Sequence, residues 1–136
     1  MEHRHTHGFV AAVTTFSNEV RAELRAHAER AFPAECVGAL LGTGTEVLFT
    51  RALQNVAAEP RAHFEVSARE YLALAREADA RGVSVRGFYH SHPDGPPTPS
   101  AEDAAHAQPG HVMVIIPVFD GVAAEPHSFR FEGASP

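Results

Sequence analysis

The residues of this chain that could do chemistry together are crowded into seventeen positions, Gly87 to Asp103 (GFYHSHPDGPPTPSAED). His90 and His92 are two apart at the end of an apolar run. On a strand, residues i and i+2 point to the same face, so both imidazoles can reach one metal ion. Ser100, followed three residues later by Asp103, has the form of a helix N-terminus, which puts the Asp103 carboxylate in the first helical turn. Two imidazoles and one carboxylate make a three-ligand set. Zinc sites with three protein ligands keep a fourth tetrahedral position for water, whereas structural sites are closed by four Cys or His. His90, His92 and Asp103 therefore point to an open site for a single Zn2+ ion.

Such a site needs a strand under the histidines, and Val83 to Tyr89 (VSVRGFY) supplies one, with a β-branched and aromatic bias after the break at Gly82. Pro93 ends that strand. The following DGPPTP is stiff, because each proline fixes its own φ and restricts its predecessor, so the turn back toward the histidines loses little entropy on ordering. Upstream, Phe9 to Thr15 reads as a first strand. A helix capped by Ser17 runs to about Ala31, with Val20, Leu24, His27, Ala28 and Ala31 on one face. Cys36 to Leu41 and Glu46 to Leu53 read as a hairpin, Asn55 to His63 as a loop, and His63 to Ser67 as a short strand. Ser67 and Glu70 open a helix to Arg81, with Tyr71, Leu72, Ala75 and Ala78 as its inner face. After a short helix from Ala101 to about Ala107, Val112 to Val118 is apolar on both faces, as in a central strand, and Glu125 to Glu132 alternates as a last one. The sum is an α/β domain with a mixed sheet flanked by helices.

The histidine stretch resembles the signature of the JAMM (MPN+) zinc metalloprotease family: His90-Ser91-His92-Pro93, six residues, Ser100, two residues, Asp103. The family's upstream segment P-x-E-x-x-G-x-L-x-G is matched in order by Pro33, Glu35, Gly38, Leu40 and Gly42. Asn55-Val56-Ala57, Phe64-Glu65 and the apolar Val112 to Ile116 extend the similarity over most of the chain. The resemblance implies a single MPN-like (cytidine-deaminase-like) domain with a curved sheet, here residues 9–136, preceded by a tail over residues 1–8. It implies Zn2+ as cofactor and His90, His92 and Asp103 as metal ligands. Glu35 is then the general base that takes a proton from water and delivers it to the leaving group, and Ser100 donates a hydrogen bond to the oxyanion.

Members of the family cut isopeptide or peptide bonds at the C-terminal tail of ubiquitin or ubiquitin-like proteins. Two insertions that shape ubiquitin specificity in eukaryotic members have no room in this chain. The outline is similar to small stand-alone prokaryotic members, which act after the Gly-Gly end of ubiquitin-like sulfur carriers of the ThiS/MoaD kind, by deconjugation or by releasing C-terminal residues or a newly made cysteine. A narrow tail of that type fits strand addition at a sheet edge, for which His63 to Ser67 is the expected place. The resemblance also admits a homodimer, a hydrolase of another peptide, and a non-catalytic MPN scaffold, although scaffolds typically lose the ligands or the glutamate that are present here.

Composition narrows the remaining classes. At 136 residues, with 44% hydrophobic and 21% charged positions, the chain has the make-up of one globular domain. A net charge of -6 argues against a nucleic-acid groove. All eleven basic residues are arginine. No apolar run approaches the roughly 20 residues that span a bilayer, and the His-rich start (His3, His5, His7) precedes no signal core, so a cytoplasmic location is expected. Cys36, the single cysteine, reads as an inert buried thiol. Neither H-E-x-x-H nor C-x-x-C occurs, which excludes a thermolysin-like helix site and a paired-cysteine zinc site. His106, His111 and His127 lack ligand spacing relative to the main cluster.

Overall fold

The computed structural model describes residues 7–133. His3, His5 and most of the expected tail lie outside these residues. In chain order the elements are β1 (Phe9–Ala11), α1 (Asn18–Ala31), β2 (Val37–Thr43), β3 (Glu46–Leu53), α2 (Ala68–Arg81), β4 (Ser84–Pro93), α3 (Ala101–His106), β5 (Val112–Phe119), β6 (Val122–Ala123) and β7 (His127–Phe131). The strands form one mixed sheet in the order β1-β7-β5-β4-β2-β3, with β6 beside β5. Among the described strands only the central β4 and β5 pair in parallel, and they are joined through a helix, α3, since a parallel crossover needs such a connection.

Alternation along the inner strands sorts the core into two faces. On β2, Leu40 packs with Val20, Leu24 and Ala28 of α1, whereas Val37, Ala39 and Leu41 pack with Leu74 and Ala78 of α2. On β5, Val114, Ile116 and Val118 join the α1 side, while Met113 and Ile115 join Phe9 and α3 residues on the other. The sheet is thus covered on both faces, which is why its inner strands read as nearly continuous apolar runs. Gly38 is needed for this packing. A Cβ there would fall 2.2 Å from the Tyr89 ring, so the ring of β4 lies directly over β2 backbone.

Each helix start follows its serine. Ser17 Oγ accepts from Val20 N, Ser67 Oγ from Glu70 N, and Ser100 with Asp103 makes a full reciprocal box. Gly82 in the left-handed region (φ 70°) ends α2. Among the described residues, no helix is long and apolar enough to cross a membrane.

Three local expectations are corrected. The first strand stops at Ala11, because the chain leaves β7 after Ala12 and reaches across to β3, where Thr15 accepts from Val47 N. His63 to Ser67 is not a strand: Asn55 takes its backbone groups, with Oδ1 accepting from Glu65 N and Nδ2 donating to the His63 carbonyl. No edge for strand addition exists there. The inner face of α2 is Leu74 and Ala78, while Tyr71 and Leu72 remain 43% and 54% exposed. The helix is turned by the fit of Leu74 against β2 and β4, and Tyr71 reaches only the edge of Phe88.

Candidate metal centre

β4 carries the centre because it lies between β2 and β5 for most of its length. His90 sits opposite Val37 and Ile115, and His92 opposite Pro117. Their side chains therefore leave the same face of the sheet, while Tyr89 and Ser91 leave the other. Ser91 Oγ accepts from Cys36 N at 2.8 Å, which stitches the start of β2 to the middle of the histidine motif. Pro93, expected to stop the strand, is its last residue.

The three expected ligands converge. His90 Nε2 lies 3.0 Å from His92 Nε2 and 3.1 Å from Asp103 Oδ1, and His92 Nε2 lies 3.2 Å from Asp103 Oδ2. Zn–N and Zn–O bonds of about 2.0–2.1 Å in a tetrahedron set the ligand atoms about 3.3 Å apart. The observed spacing fits that figure, and the imidazole and carboxylate donors suit zinc. Among the described residues, His90, His92 and Asp103 are the group able to hold an ion. His90 is 1% exposed and Asp103 4%, so neither donor is a solvated surface group.

Outer contacts aim these donors. His92 Nδ1 lies 2.7 Å from the Pro96 carbonyl, so the ring donates there and leaves the Nε2 lone pair facing the cluster. That acceptor comes from the proline-rich turn. The His90 ring lies against Phe64, centroids 4.8 Å apart, and Phe64 in turn lies against His106. Asp103 Oδ2 accepts from Ser100 N at 2.9 Å, and Ser100 Oγ accepts from Asp103 N at 3.1 Å. The helix cap and the carboxylate's orientation are one arrangement. Burial lowers the His90 pKa, keeping the ring in the neutral form that binds metal. At Asp103 burial works against ionisation, but the adjoining His90 and His92 rings and the Ser100 N–H outweigh it and hold the carboxyl well below the usual range.

Glu35 stands beside this cluster and not in it. It lines a cleft of about 290 Å³ together with Arg61, His92, Pro96, Ser100 and Asp103. Its backbone is held at both ends, Glu35 N donating to the Pro60 carbonyl at 2.7 Å and Asn55 Nδ2 donating to the Glu35 carbonyl at 2.9 Å. Burial pushes its carboxyl up to about 7, with the nearby His92 acting in the opposite sense. A carboxyl poised near neutrality next to a metal-ligand cluster can take up and release a proton at little cost. Ser100 is exposed at the same cleft, and because Oγ accepts from Asp103 N its hydroxyl hydrogen is left to donate.

Sequence reasoning assigned no role to Ser91, placed Asn55 only at the start of a loop, and could not see the Pro96 carbonyl. Asn55 clasps that loop, bonding the backbone of Glu35, Ala57, His63 and Glu65. His27 is a satisfied boundary residue, Nδ1 lying 2.7 Å from Tyr89 Oη. Cys36 is buried, and burial pushes its thiol up to about 11, as an inert role requires.

A family model, prokaryotic homologs of the JAB domain, matches residues 17–132. The chain belongs to this family, the small prokaryotic branch of the JAMM/MPN domains. It is 41% identical over 86 residues to a desampylase of Haloferax volcanii, covering 61% of this chain and 62% of that relative. The chain thus spans under two thirds of that relative's length. It is 35% identical over 102 residues to a probable TtuB-protein conjugate cleaving protease of Thermus thermophilus, covering 75% and 68% of the two chains. Among solved structures, a JAB1/MPN domain protein of Archaeoglobus fulgidus superposes with a TM-score of 0.54 at 20% identity, covering 87% of this chain and 89% of that one. That likeness is one of fold, and it agrees with the mixed sheet flanked by helices seen here.

Proposed function

We propose that this JAMM-family chain is a zinc hydrolase that cuts the amide bond after the C-terminal Gly-Gly of a ubiquitin-like protein of the sulfur-carrier (ThiS/MoaD) kind. The observation that carries the reading is the convergence of His90, His92 and Asp103 beside a cleft that Glu35 shares with His92 and Asp103. The named relatives, a desampylase and a conjugate cleaving protease, support an activity on ubiquitin-like conjugates.

His90 Nε2, His92 Nε2 and an Asp103 oxygen would hold the ion. A zinc ion held there would supply an acidified water, with a pKa lowered from about 15.7 toward about 7, and a positive charge to polarise the scissile carbonyl. Glu35 accepts the proton of the attacking water and passes it to the departing nitrogen, so that water adds across the amide and yields a glycine carboxylate and a free amine. Its burial, which raises its proton affinity, strengthens it as the base on the first transfer and still leaves an acid able to give the proton to an amine nitrogen on the second. The Ser100 hydroxyl donates to the oxyanion formed from the glycine carbonyl, while its Oγ keeps the Asp103 turn in place. Pro93, Gly95 and Pro96 form one wall of the cleft, with Ala62 and Phe64 on another, a channel suited to a tail without side chains.

Cleavage of a ubiquitin-like carrier extended past its Gly-Gly end tests the reading. Hydrolysis after the second glycine is expected with zinc-loaded protein and is lost on chelation and in Glu35→Gln. A tightly bound zinc with no hydrolysis of any extended carrier would instead make the chain a non-catalytic module.

A further inference from the structure

Arg61 is the one arginine among the residues lining the cleft. Of the other described arginines, Arg21 pairs with Glu125, Arg51 and Arg81 with Glu77, Arg130 with Glu132, Arg25 donates to the Ala123 carbonyl and Arg86 to Ser84 Oγ, while Arg30, Arg69 and Arg76 do not line the cleft. Among the described residues Arg61 has neither an ion pair nor a side-chain hydrogen bond. The neighbouring carboxylates face His63 instead, which lies 2.8 Å from Glu102 of α3 and 4.0 Å from Glu59. Its backbone, by contrast, is fixed. Ala62 N and His63 N both donate to the Glu59 carbonyl, and the preceding Pro60 carbonyl accepts from Glu35 N.

That last bond locates Arg61 relative to the reaction. Glu35 hands its proton to the departing nitrogen, so the side of the cleft next to Glu35 is the side of the leaving group. Arg61 is joined to that side through Pro60, while Ser100 and Asp103 form the wall of α3. Three carboxylates, Glu35, Glu102 and Asp103, line the cleft and repel an incoming anion, and the chain as a whole carries -6. Apart from a bound metal ion, Arg61 is the one side chain of the cleft that offers a guanidinium fork without a protein partner to a carboxylate.

We infer that Arg61 is a specificity-determining residue that binds the free α-carboxylate of a leaving amino acid. The inference rests on the hydrolase reading above and narrows its substrate to carrier tails ending in a C-terminal residue or so beyond Gly-Gly. In such a substrate the carboxylate is two bonds from the departing nitrogen. In an isopeptide bond the departing nitrogen instead carries the uncharged methylenes of a lysine side chain, whose backbone is several bonds further away, and Arg61 is left unpaired.

The test uses synthetic peptides ending in Gly-Gly-Ala, one as the free acid and one as the C-terminal amide, with the full chain loaded with zinc. Wild type is expected to favour the acid by about ten- to a hundredfold in kcat/KM, the range of a charge-assisted hydrogen bond. Arg61→Ala is expected to bring the acid down to the rate of the amide while leaving the amide unchanged. Arg61→Lys keeps the charge without the fork and retains part of the preference. The same acid-to-amide ratio is read as Kd in zinc-loaded Glu35→Gln, where no turnover is needed. An Arg61-dependent ratio in binding without hydrolysis in wild type upholds the anchor and removes the hydrolase reading. Hydrolysis with an acid-to-amide ratio that Arg61→Ala does not move, including an equal loss on both peptides, overturns the anchor and leaves the hydrolase reading standing.

Discussion

The two faces of β4 carry polar side chains at alternating positions, and they treat them differently. On the α1 side, Tyr89 Oη meets His27 Nδ1 at 2.7 Å and Ser91 Oγ meets Cys36 N at 2.8 Å, so each group has one complementary partner. On the other side, the Nε2 atoms of His90 and His92 face each other at 3.0 Å with a carboxylate at 3.1 and 3.2 Å. Donors and acceptors balance on the first face, as buried polar groups do in an ordinary core. On the second, lone pairs converge on one point. A strand can be plain structure on one face and chemistry on the other, and what separates them is complementarity versus convergence.

The largest effect expected from breaking this contrast is on the converging side. His92→Ala is expected to cost more than the roughly 10- to 100-fold in metal affinity typical of losing an outer partner, and to abolish hydrolysis, both read by zinc content and turnover. Glu35→Gln should keep the zinc and lower kcat by about 10²–10⁴-fold, the usual contribution of a general acid–base group. On the α1 side the effects are on stability alone. Gly38→Ala drives a methyl into the Tyr89 ring and should cost about 1–3 kcal/mol by denaturant unfolding. Tyr89→Phe removes only the bond to His27 and should cost about 1 kcal/mol, with zinc content and kcat unchanged.

Titration sharpens the same contrast. Glu35 is raised by burial to about 7, above its ordinary 4.5, so its neutral form favours the folded state. Stability from this group is complete below about pH 4.5 and is lost as pH rises through about 7. Catalysis has the opposite sign, since the base acts ionised and the rate falls as pH drops through its pKa. A divalent ion beside the carboxyl stabilises the anion, so NMR titration should show Glu35 moving down from about 7 on zinc loading. No movement would place Glu35 away from the ion.

Much of the site was legible because its signals are local. The two-residue spacing of His90 and His92 and the cap formed by Ser100 and Asp103 each follow from periodicities of 2.0 and 3.6. The order of elements was legible for the same reason, together with glycine and serine punctuation. What escaped depends on who packs against whom. Asn55 intercepts backbone groups that an alternating His63 to Ser67 appeared ready to give to a neighbouring strand. Leu74 wins the α2 interface over Tyr71 and Leu72, because a stripe of apolar residues on a helix does not say which of two adjacent stripes meets the sheet. The carbonyl of Pro96 has no side-chain signature at all. Arg61 was unremarked for a similar reason, as its importance lies in the absence of a partner.

The central claim is that one face of β4 and the first turn of α3 hold a single zinc ion. Zinc content after dialysis of the wild-type chain, of Asp103→Ala and of Cys36→Ser tests it directly. One equivalent in wild type and in Cys36→Ser, with none in Asp103→Ala, is the predicted result. Absence of stoichiometric zinc in wild type, or its persistence after loss of Asp103, would contradict it.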